Sequence, residues 1–307
     1  MSNIKFFLFG KFCFEANSKL IHKIEPHKTE ELLGFLLLNR EKPHSREKLA
    51  DLLWGEIAAE QSKGYFRKAL WRLQTLLEPY CGPNTLLVDG EWIQVNPKFD
   101  SWLDIAVLEK AFINTQGIQG GDLSEKQSQI IQDAIEIYRG ELFEGWYQDW
   151  CLFERERLQY IYFAMLDKLI EYCEVHEYYE KGLIFGKRIL QYDRVREQTY
   201  RQLMRLHYLA GDRTTALRQY QKCKAVLQEE LDVEPAESTR ILYEMIRADK
   251  LEGPRSIQIG KSEAAQGEAD SLRAVFSHMN AFQKTLGQIQ TQLTQDLRVI
   301  QRTIKTN

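Results

Sequence analysis

A stretch of basic residues without acidic neighbours is the first feature that could support a specific chemistry. Between Gln61 and Leu77 the sequence contains four cations and no aspartate or glutamate. These cations are Lys63, Arg67, Lys68 and Arg72. Ammonium and guanidinium groups clustered on one segment attract a polyanion, because the attractions of neighbouring cations add together. The stretch therefore predicts contact with nucleic acid.

The apolar residues of the same stretch predict how a helix would present these cations. They recur at spacings of four, three and four, which places them on one helix face: Phe66, Leu70, Leu73 and Leu77. The opposite face and its flanks are expected to enter the groove of DNA. The residues concerned are Lys63, Arg67, Lys68, Trp71, Arg72 and Thr75. Arg67 and Arg72 can bind guanine or phosphate, and Lys63 suits a phosphate. A merely solvated helix face is the alternative.

Ser45 and Arg46 begin the preceding predicted helix, directly after Pro43 and His44. The free N–H groups and positive dipole end of a helix N-terminus could hold a DNA phosphate. The alternative is that Ser45 is a simple N-cap. Both interpretations stay open at this point.

The elements around the basic stretch predict a winged helix. Residues 4–25 alternate apolar and polar positions, which is typical of short antiparallel strands. Three helices are then expected, at about Thr29–Leu38, Arg46–Trp54 and Glu60–Leu77. Two short apolar runs, Leu86–Val88 and Trp92–Val95, flank Asp89–Gly90, a dipeptide that favours a tight hairpin turn.

From residue 99 to residue 251 the pattern predicts an all-α region of tetratricopeptide-like helix pairs. A shift of 34 residues, the period of such repeats, superposes similar residues. The superposed pairs are Leu169–Ile170 with Leu203–Met204 and Gly182–Leu183 with Ala216–Leu217. A third, irregular pair can be drawn from residues 102–118 and 126–139, which completes the minimum stack that such repeats need.

The same register places charged residues of neighbouring repeats on facing helices. One set comprises Arg201, Arg205 and Tyr208, and the other comprises Asp167, Glu171 and Glu174. Two interpretations stay open. The residues could form an internal salt-bridge network of little net stability, or a groove that binds an acidic peptide, a polymerase segment or an anionic ligand.

Residues 268–305 predict a last amphipathic helix, after a linker at 252–267. Its apolar residues alternate spacings of three and four over three heptads, the pattern of a coiled-coil seam. The seam comprises Leu272, Val275, Met279, Phe282, Leu286, Ile289 and Leu293, and continues after an extra step of four at Leu297 and Ile300. We expect self-association through this helix. The alternative is that it folds back onto the repeats as a cap.

Two long segments resemble the bacterial transcriptional activator domain of the Streptomyces antibiotic regulatory proteins. They are AIEIYRGELFEGWYQDWCLFERERL (134–158) and EQTYRQLMRLHYLAGDRTTALRQYQKCKAVLQEELDVEP (197–235). The segment LLGFLLLNREKPHSREKLADLLWG (32–55) is similar, more loosely, to the OmpR-type winged helix of that family. The resemblance implies an activator that binds promoter repeats and contacts RNA polymerase. Asp89 and Glu91 at the wing tip depart from this pattern, because carboxylates repel DNA phosphates.

These observations predict a mainly α protein. We expect a winged-helix (α+β) domain at 1–98, the tetratricopeptide-like activator domain at 99–251, and then the linker and the coiled-coil-like helix. The expected function is sequence-specific DNA binding by a transcriptional activator. The alternatives are a protein-interaction adaptor that uses the winged helix for docking, or a ligand sensor that uses the repeat groove. The expected partners are double-stranded promoter DNA, RNA polymerase, and further copies of the chain in a homodimer or higher oligomer.

Enzyme chemistry is not expected from this sequence. The six histidines show no HExxH spacing, and neither a GxxxxGK[ST] nor a GxGxxG motif offers a phosphate cradle. The five cysteines form no CxxC pair, so neither a zinc site nor a disulfide framework is predicted. The sequence contains neither an 18-residue apolar run nor a signal peptide. We therefore expect a cytoplasmic protein without a catalytic site, metal, cofactor or membrane contact.

Overall fold

The first sheet forms because its strands alternate buried and outward-facing side chains. In the computed structural model, which describes residues 4–251, β1 (Lys5–Phe7) pairs antiparallel with β2 (Cys13–Ala16). β2 pairs in turn with β3 (Lys19–Ile21). Phe6 and Phe14 lie opposite each other in the β1–β2 register and are fully buried. Their phenyl rings attach the sheet to the helices behind it.

The three predicted helices and the predicted hairpin follow, and a third strand, which the sequence did not indicate, joins the hairpin to form a three-stranded wing. The helices are α1 (His27–Leu38), α2 (Arg46–Trp54) and α3 (Ala59–Cys81). The wing sheet has the order β4–β6–β5, with β4 (His44–Ser45), β5 (Leu86–Asp89) and β6 (Trp92–Val95). α3 runs beyond its expected end at Leu77 and continues through Pro79, where the Tyr80 ring packs edge-on against Phe14 at 6.0 Å between centroids.

The tight turn of the wing lies one residue later than predicted. Asp89 still pairs with Trp92, so the two turn residues are Gly90 and Glu91. Gly90 has a φ of 50°, a conformation that glycine adopts at little cost and that suits the first position of a two-residue hairpin turn.

The helical region contains paired helices in the predicted register. After β7 (Trp102–Leu103), the helices are α4 (Asp104–Asn114), α5 (Glu125–Ile135), α6 (Asp149–Val175), α7 (Tyr179–Tyr192), α8 (Glu197–Leu209), α9 (Arg213–Leu231) and α10 (Glu237–Arg247). α6 and α8 end 34 residues apart, and α7 and α9 begin 34 residues apart. The mainly α class, with an N-terminal winged helix and tetratricopeptide-like pairs, is confirmed.

The winged helix shares one continuous hydrophobic core with helices α4–α7, whereas α8, α9 and α10 pack mainly in two separate, smaller clusters. Phe143 and Trp146 stack with ring centroids 4.3 Å apart. Both rings lie against Gly34 of α1, where an added Cβ would come within 2.9 Å of the Phe143 ring. β7 also pairs in parallel with β1. Packing therefore crosses the domain boundary predicted after residue 98, which itself stays a prediction.

A buried aspartate joins the two regions. Asp104, the first residue of α4, accepts hydrogen bonds at Oδ2 from the N–H groups of Leu8 (2.7 Å) and Phe9 (2.9 Å). Its Oδ1 accepts the N–H of Ile105 at 2.8 Å. Burial raises the pKa of Asp104 to about 6, although the N–H donors act in the opposite direction. The carboxylate thus connects the end of β1 to the start of α4.

The predicted linker at 252–267 and the helix at 268–305, with its seam from Leu272 to Ile300, lie outside the described residues. Within residues 4–251, no helix is both long enough and apolar enough to cross a membrane.

Candidate nucleic-acid interface

α3 divides into a buried and an exposed face along its whole length. Its apolar side chains at Phe66, Leu70, Leu73 and Leu77 are buried. Lys68, Trp71 and Thr75 are exposed on the opposite side. Trp71 keeps 64% of its surface accessible, although tryptophan usually buries most of its ring in a folded protein. This exposed face of α3 therefore presents both positive charge and apolar surface to a partner.

Arg67 and Arg72 lie on opposite flanks of this exposed face. Arg67 lines a groove beside the wing, whereas Arg72 lines a separate depression with Lys23, His27 and Glu25, the last of which pairs with Lys23. Across residues 4–251, no carboxylate forms an ion pair within 4.0 Å of Arg67, Lys68 or Arg72. Their charges are consequently free to attract an external anion.

The groove beside the wing has a volume of about 490 Å³. It is lined by Ser45, Arg46, Glu47, Glu60, Lys63, Phe66, Arg67, Gly90 and Glu91. The structure thus brings together four of the residues expected to contact DNA. It also places three carboxylates beside their three cations, so the groove itself is balanced in charge.

Lys63 has acidic partners, which corrects the expectation of a cation cluster without them. Its Nζ lies 3.2 Å from Oε1 of Glu47 and 3.9 Å from Oε1 of Glu60. The basic stretch from Gln61 to Leu77 contains neither partner, because Glu47 lies on α2 and Glu60 lies one residue before the stretch begins. Ion pairs of this exposure contribute at most about 1 kcal/mol, so Lys63 can exchange them for a phosphate.

Ser45 and Arg46 connect α2 to the wing. Ser45 occupies the N-cap position, but its hydroxyl makes no capping hydrogen bond, so the simple side-chain cap is wrong. The N–H of Arg46 donates to the carbonyl of Glu91 at 2.8 Å, and its guanidinium donates to the carbonyl of Gly90 at 3.0 Å. These bonds attach the start of α2 to the wing turn. They also occupy one of the N–H groups that a phosphate would have used.

The acidic residues predicted to line the repeat groove bind within the chain. Asp167 accepts two hydrogen bonds from the guanidinium of Arg196, at 2.7 and 3.0 Å. Glu174 accepts from Arg205 at 2.6 Å. Glu171 accepts the N–H of Gly120 at 2.9 Å, and burial raises the pKa of this carboxyl group. These contacts correspond to the internal salt-bridge network, one of the two interpretations that the sequence left open.

Arg201 and Tyr208 do not face these carboxylates, which corrects the predicted pairing. Arg201 donates to Oγ1 of Thr239 at 3.0 Å, and Tyr208 donates to Asp249 at 2.9 Å. Thr239 lies on α10 and Asp249 follows this helix. The 34-residue register did not extend to α10. Sequence reasoning also missed Arg196, because it lies in the turn before α8 and outside any helical pattern.

The described residues show no sign of a metal centre. In the part of the chain from 4 to 251, no group of three histidine, cysteine or carboxylate side chains is placed to hold a metal ion. All five cysteines are free thiols.

Comparisons with known proteins give a family match and a similarity to solved structures. The family described as the bacterial transcriptional activator domain matches residues 103–247. A search of curated proteins finds no match. A solved structure of Mycobacterium tuberculosis EmbR in complex with a low-affinity phosphopeptide is similar, with a TM-score of 0.63 and 17% sequence identity. The match covers 90% of this chain and 72% of that chain. At this identity the similarity shows a common fold.

Proposed function

We propose that the chain is a transcriptional activator that binds promoter DNA through α3. Residues 103–247 match the bacterial transcriptional activator domain, and they follow a winged helix, as in the Streptomyces antibiotic regulatory proteins. The family assigns the protein to the transcription regulators. Sequence-specific binding, promoter repeats and contact with RNA polymerase belong to the proposal.

One observation carries the proposal most directly: the exposed face of α3 combines unpaired cations with an exposed tryptophan. Arg67, Lys68 and Arg72 lack acidic partners among residues 4–251, and Trp71 lies between them. DNA offers phosphates to the cations and thymine methyl groups to the apolar ring.

α3 acts as the recognition helix in this proposal. It lies in the major groove, where Arg67 or Arg72 binds the O6 and N7 edge of guanine. Lys68 and Thr75 contact neighbouring base edges, and Trp71 contacts thymine methyl groups. Ser45, Arg46 and Lys63 bind the phosphate backbone at the edge of the wing groove, which fixes the register of the helix.

The family resemblance supports the remaining partners of this proposal. Two protomers bind side by side on promoter repeats, and the activator domain contacts RNA polymerase. The coiled-coil pattern predicted from the sequence between Leu272 and Ile300 supports a homodimer or higher oligomer. A second winged helix would raise the effective concentration at a repeated site.

The test is the selection of bound duplexes from a random DNA pool at two salt concentrations. We expect enrichment of a defined sequence, together with an affinity that falls steeply as salt rises, because bound cations release counterions from DNA. Recovery of unenriched DNA at both salt concentrations would contradict the proposal.

A second candidate function, an adaptor that docks proteins on its winged helix, is favoured by one observation. Asp89 and Glu91 are exposed on the wing, and Glu47 and Glu60 balance the cations of the wing groove. These carboxylates weaken the attraction for phosphate. The same selection separates the two functions, because an adaptor of this kind enriches no DNA sequence.

The repeat groove remains a proposal for a partner or ligand. The side chains of Arg201 and Arg205 keep 30% and 36% of their surface exposed despite their internal contacts. An acidic peptide, a polymerase segment or an anionic ligand could bind this surface. If it does, reversing both charges abolishes activation at unchanged DNA affinity, whereas Glu174→Gln, which frees Arg205, does not. Unchanged activation in the reversed variant contradicts a partner site.

A further inference from the structure

α3 contains a glycine at an interior position. Gly64 lies in the second turn of the helix, which spans Ala59–Cys81. Glycine is unfavourable in a helix interior compared with alanine, because it loses more backbone freedom when the helix forms. Such a glycine calls for a reason, and close packing of a neighbouring element is the usual one.

Packing explains the other glycines within the α-helices of residues 4–251. A Cβ added at Gly34 would come within 2.9 Å of Phe143, at Gly182 within 2.8 Å of Leu206, and at Gly186 within 2.6 Å of Leu203. Each distance is shorter than real Cβ contacts allow. Helices α1 and α7 therefore need these glycines so that other parts of the core can approach them closely.

Gly64 differs, because the protein itself leaves space for a side chain. A Cβ added there meets no heavy atom within 4 Å. Alanine would fit without a clash and would favour the helix. The described residues therefore contain no intramolecular reason for glycine at this position.

The position of Gly64 on the helix indicates what uses the space. It precedes Lys68, Trp71 and Thr75 by four, seven and eleven residues, so it shares their exposed face. It is also adjacent in sequence to Lys63, which lines the wing groove. In helix-turn-helix proteins, the N-terminal part of the recognition helix approaches the base edges most closely.

We infer that Gly64 is the point of closest approach between α3 and the base-pair edges of DNA, and that its missing side chain lets Lys68 and Trp71 reach those edges. The inference rests on the proposed function. Gly64 is a positioning residue in this proposal: because it has no side chain, α3 can lie closer to the bases in the groove.

The experiment compares Gly64→Ala and Gly64→Gln with the wild-type full-length chain. Both substitutions favour the helix, so the thermal unfolding temperature should rise by about 2–4 °C. Affinity for the selected DNA sequence should fall about tenfold for alanine and further for glutamine, because the side chain holds α3 away from the bases. Affinity for random DNA should fall less, since phosphate contacts tolerate a small displacement.

Two further variants separate the role of Gly64 from an effect of stability and from the proposed function itself. Thr214→Ala, an exposed change in α9, favours its own helix and controls for the effect of stability on binding. Lys68→Ala tests the DNA-binding face itself. If Lys68→Ala weakens binding and both Gly64 variants bind the selected sequence within about twofold of wild type, the inference is overturned and the proposed function stands.

Two other outcomes would contradict the inference about Gly64. If Lys68→Ala also leaves DNA binding unchanged, the proposed function and the inference fail together. Equal losses on selected and random DNA in the Gly64 variants contradict the base-edge assignment, because only phosphate contacts would then have been disturbed.

Discussion

The exposed face of α3 and the groove of the helical repeats contain similar numbers of basic side chains, but the two regions use them differently. On α3, Arg67, Lys68 and Arg72 lack carboxylate partners among residues 4–251. In the repeats, Arg196 and Arg205 are each bound by a carboxylate of α6. The partners of a cation, more than the number of cations, therefore indicate its role.

The physical reason lies in what each cation must give up to bind a ligand. An unpaired guanidinium exchanges only water and counterions for a phosphate, and release of the DNA counterions favours the exchange. A paired guanidinium must also break a bond within its own fold. We therefore expect substitutions on α3 to change DNA affinity, and substitutions in the repeats to change stability.

The largest expected effect comes from the triple substitution of Arg67, Lys68 and Arg72 by alanine. Each cation contributes about 1–3 kcal/mol if it binds a base or phosphate, so affinity for the selected DNA should fall about 1000-fold. The free energy of unfolding should change little, because all three side chains are exposed. Titration of labelled DNA and urea denaturation measure the two quantities. Undiminished affinity at low salt would remove α3 from the interface.

The second prediction concerns the buried carboxylate that joins the two regions. Asp104→Ala leaves the N–H groups of Leu8 and Phe9 buried without an acceptor. The free energy of unfolding should therefore fall by about 3 kcal/mol. The same denaturation experiment on Asp133→Asn, an exposed change on α5, should show almost no effect. A fall below about 1 kcal/mol in Asp104→Ala would mean that the connection stabilises little.

The pH dependence of this carboxylate has a defined sign. The folded pKa of about 6 lies above the ordinary value of 3.8, so the folded state binds the proton more tightly. The stability of the wild type relative to Asp104→Asn should therefore decrease as pH rises from about 4 to about 6. Denaturation of both proteins across this range measures the difference, and an increase with pH would contradict the burial argument.

The third prediction concerns the C-terminal helix predicted from the sequence at residues 268–305. Truncation after Glu252 should convert a dimer or higher oligomer to a monomer in light scattering. It should weaken binding to paired DNA sites about tenfold more than binding to single sites, because the second winged helix is then no longer tethered. A full-length protein that stays monomeric at tens of micromolar would favour the fold-back alternative for this helix.

The smallest effects are expected from the salt bridges of the helical repeats. Arg196→Ala leaves the mostly buried Asp167 without its bidentate partner and should cost about 1–2 kcal/mol of unfolding free energy. Glu174→Gln breaks a more exposed pair and should cost less than about 1 kcal/mol. DNA affinity should stay at the wild-type value in both. A loss of affinity at unchanged stability would mean that the repeats take part in DNA binding.

Several elements of the fold could be predicted because they depend on local patterns. The bounds of α2 at Arg46–Trp54 follow from a turn signal and the helical spacing that comes after it. The 34-residue register of α6–α7 and α8–α9 follows from similar residues that recur at a fixed period. The division of α3 into two faces follows from apolar spacing, because each helical residue turns by a constant angle.

Other features could not be predicted, because they join residues that are far apart in the chain. The contact of Lys63 with Glu47 depends on how α2 crosses α3, and the contact of Arg201 with Thr239 depends on how α10 packs against α8. The bonds from Asp104 to Leu8 and Phe9 span almost a hundred residues. No periodicity signals such pairs.

The sequence by itself determined which side of α3 is polar, where most helices lie, and that the chain joins a winged helix to helical repeats. Only the packed structure shows which cations are paired with carboxylates, and that the winged helix shares a core with helices α4–α7. The physical reason is that helix periodicity is a local property of the backbone. The pairing of charges depends on distances that exist only after the helices have packed.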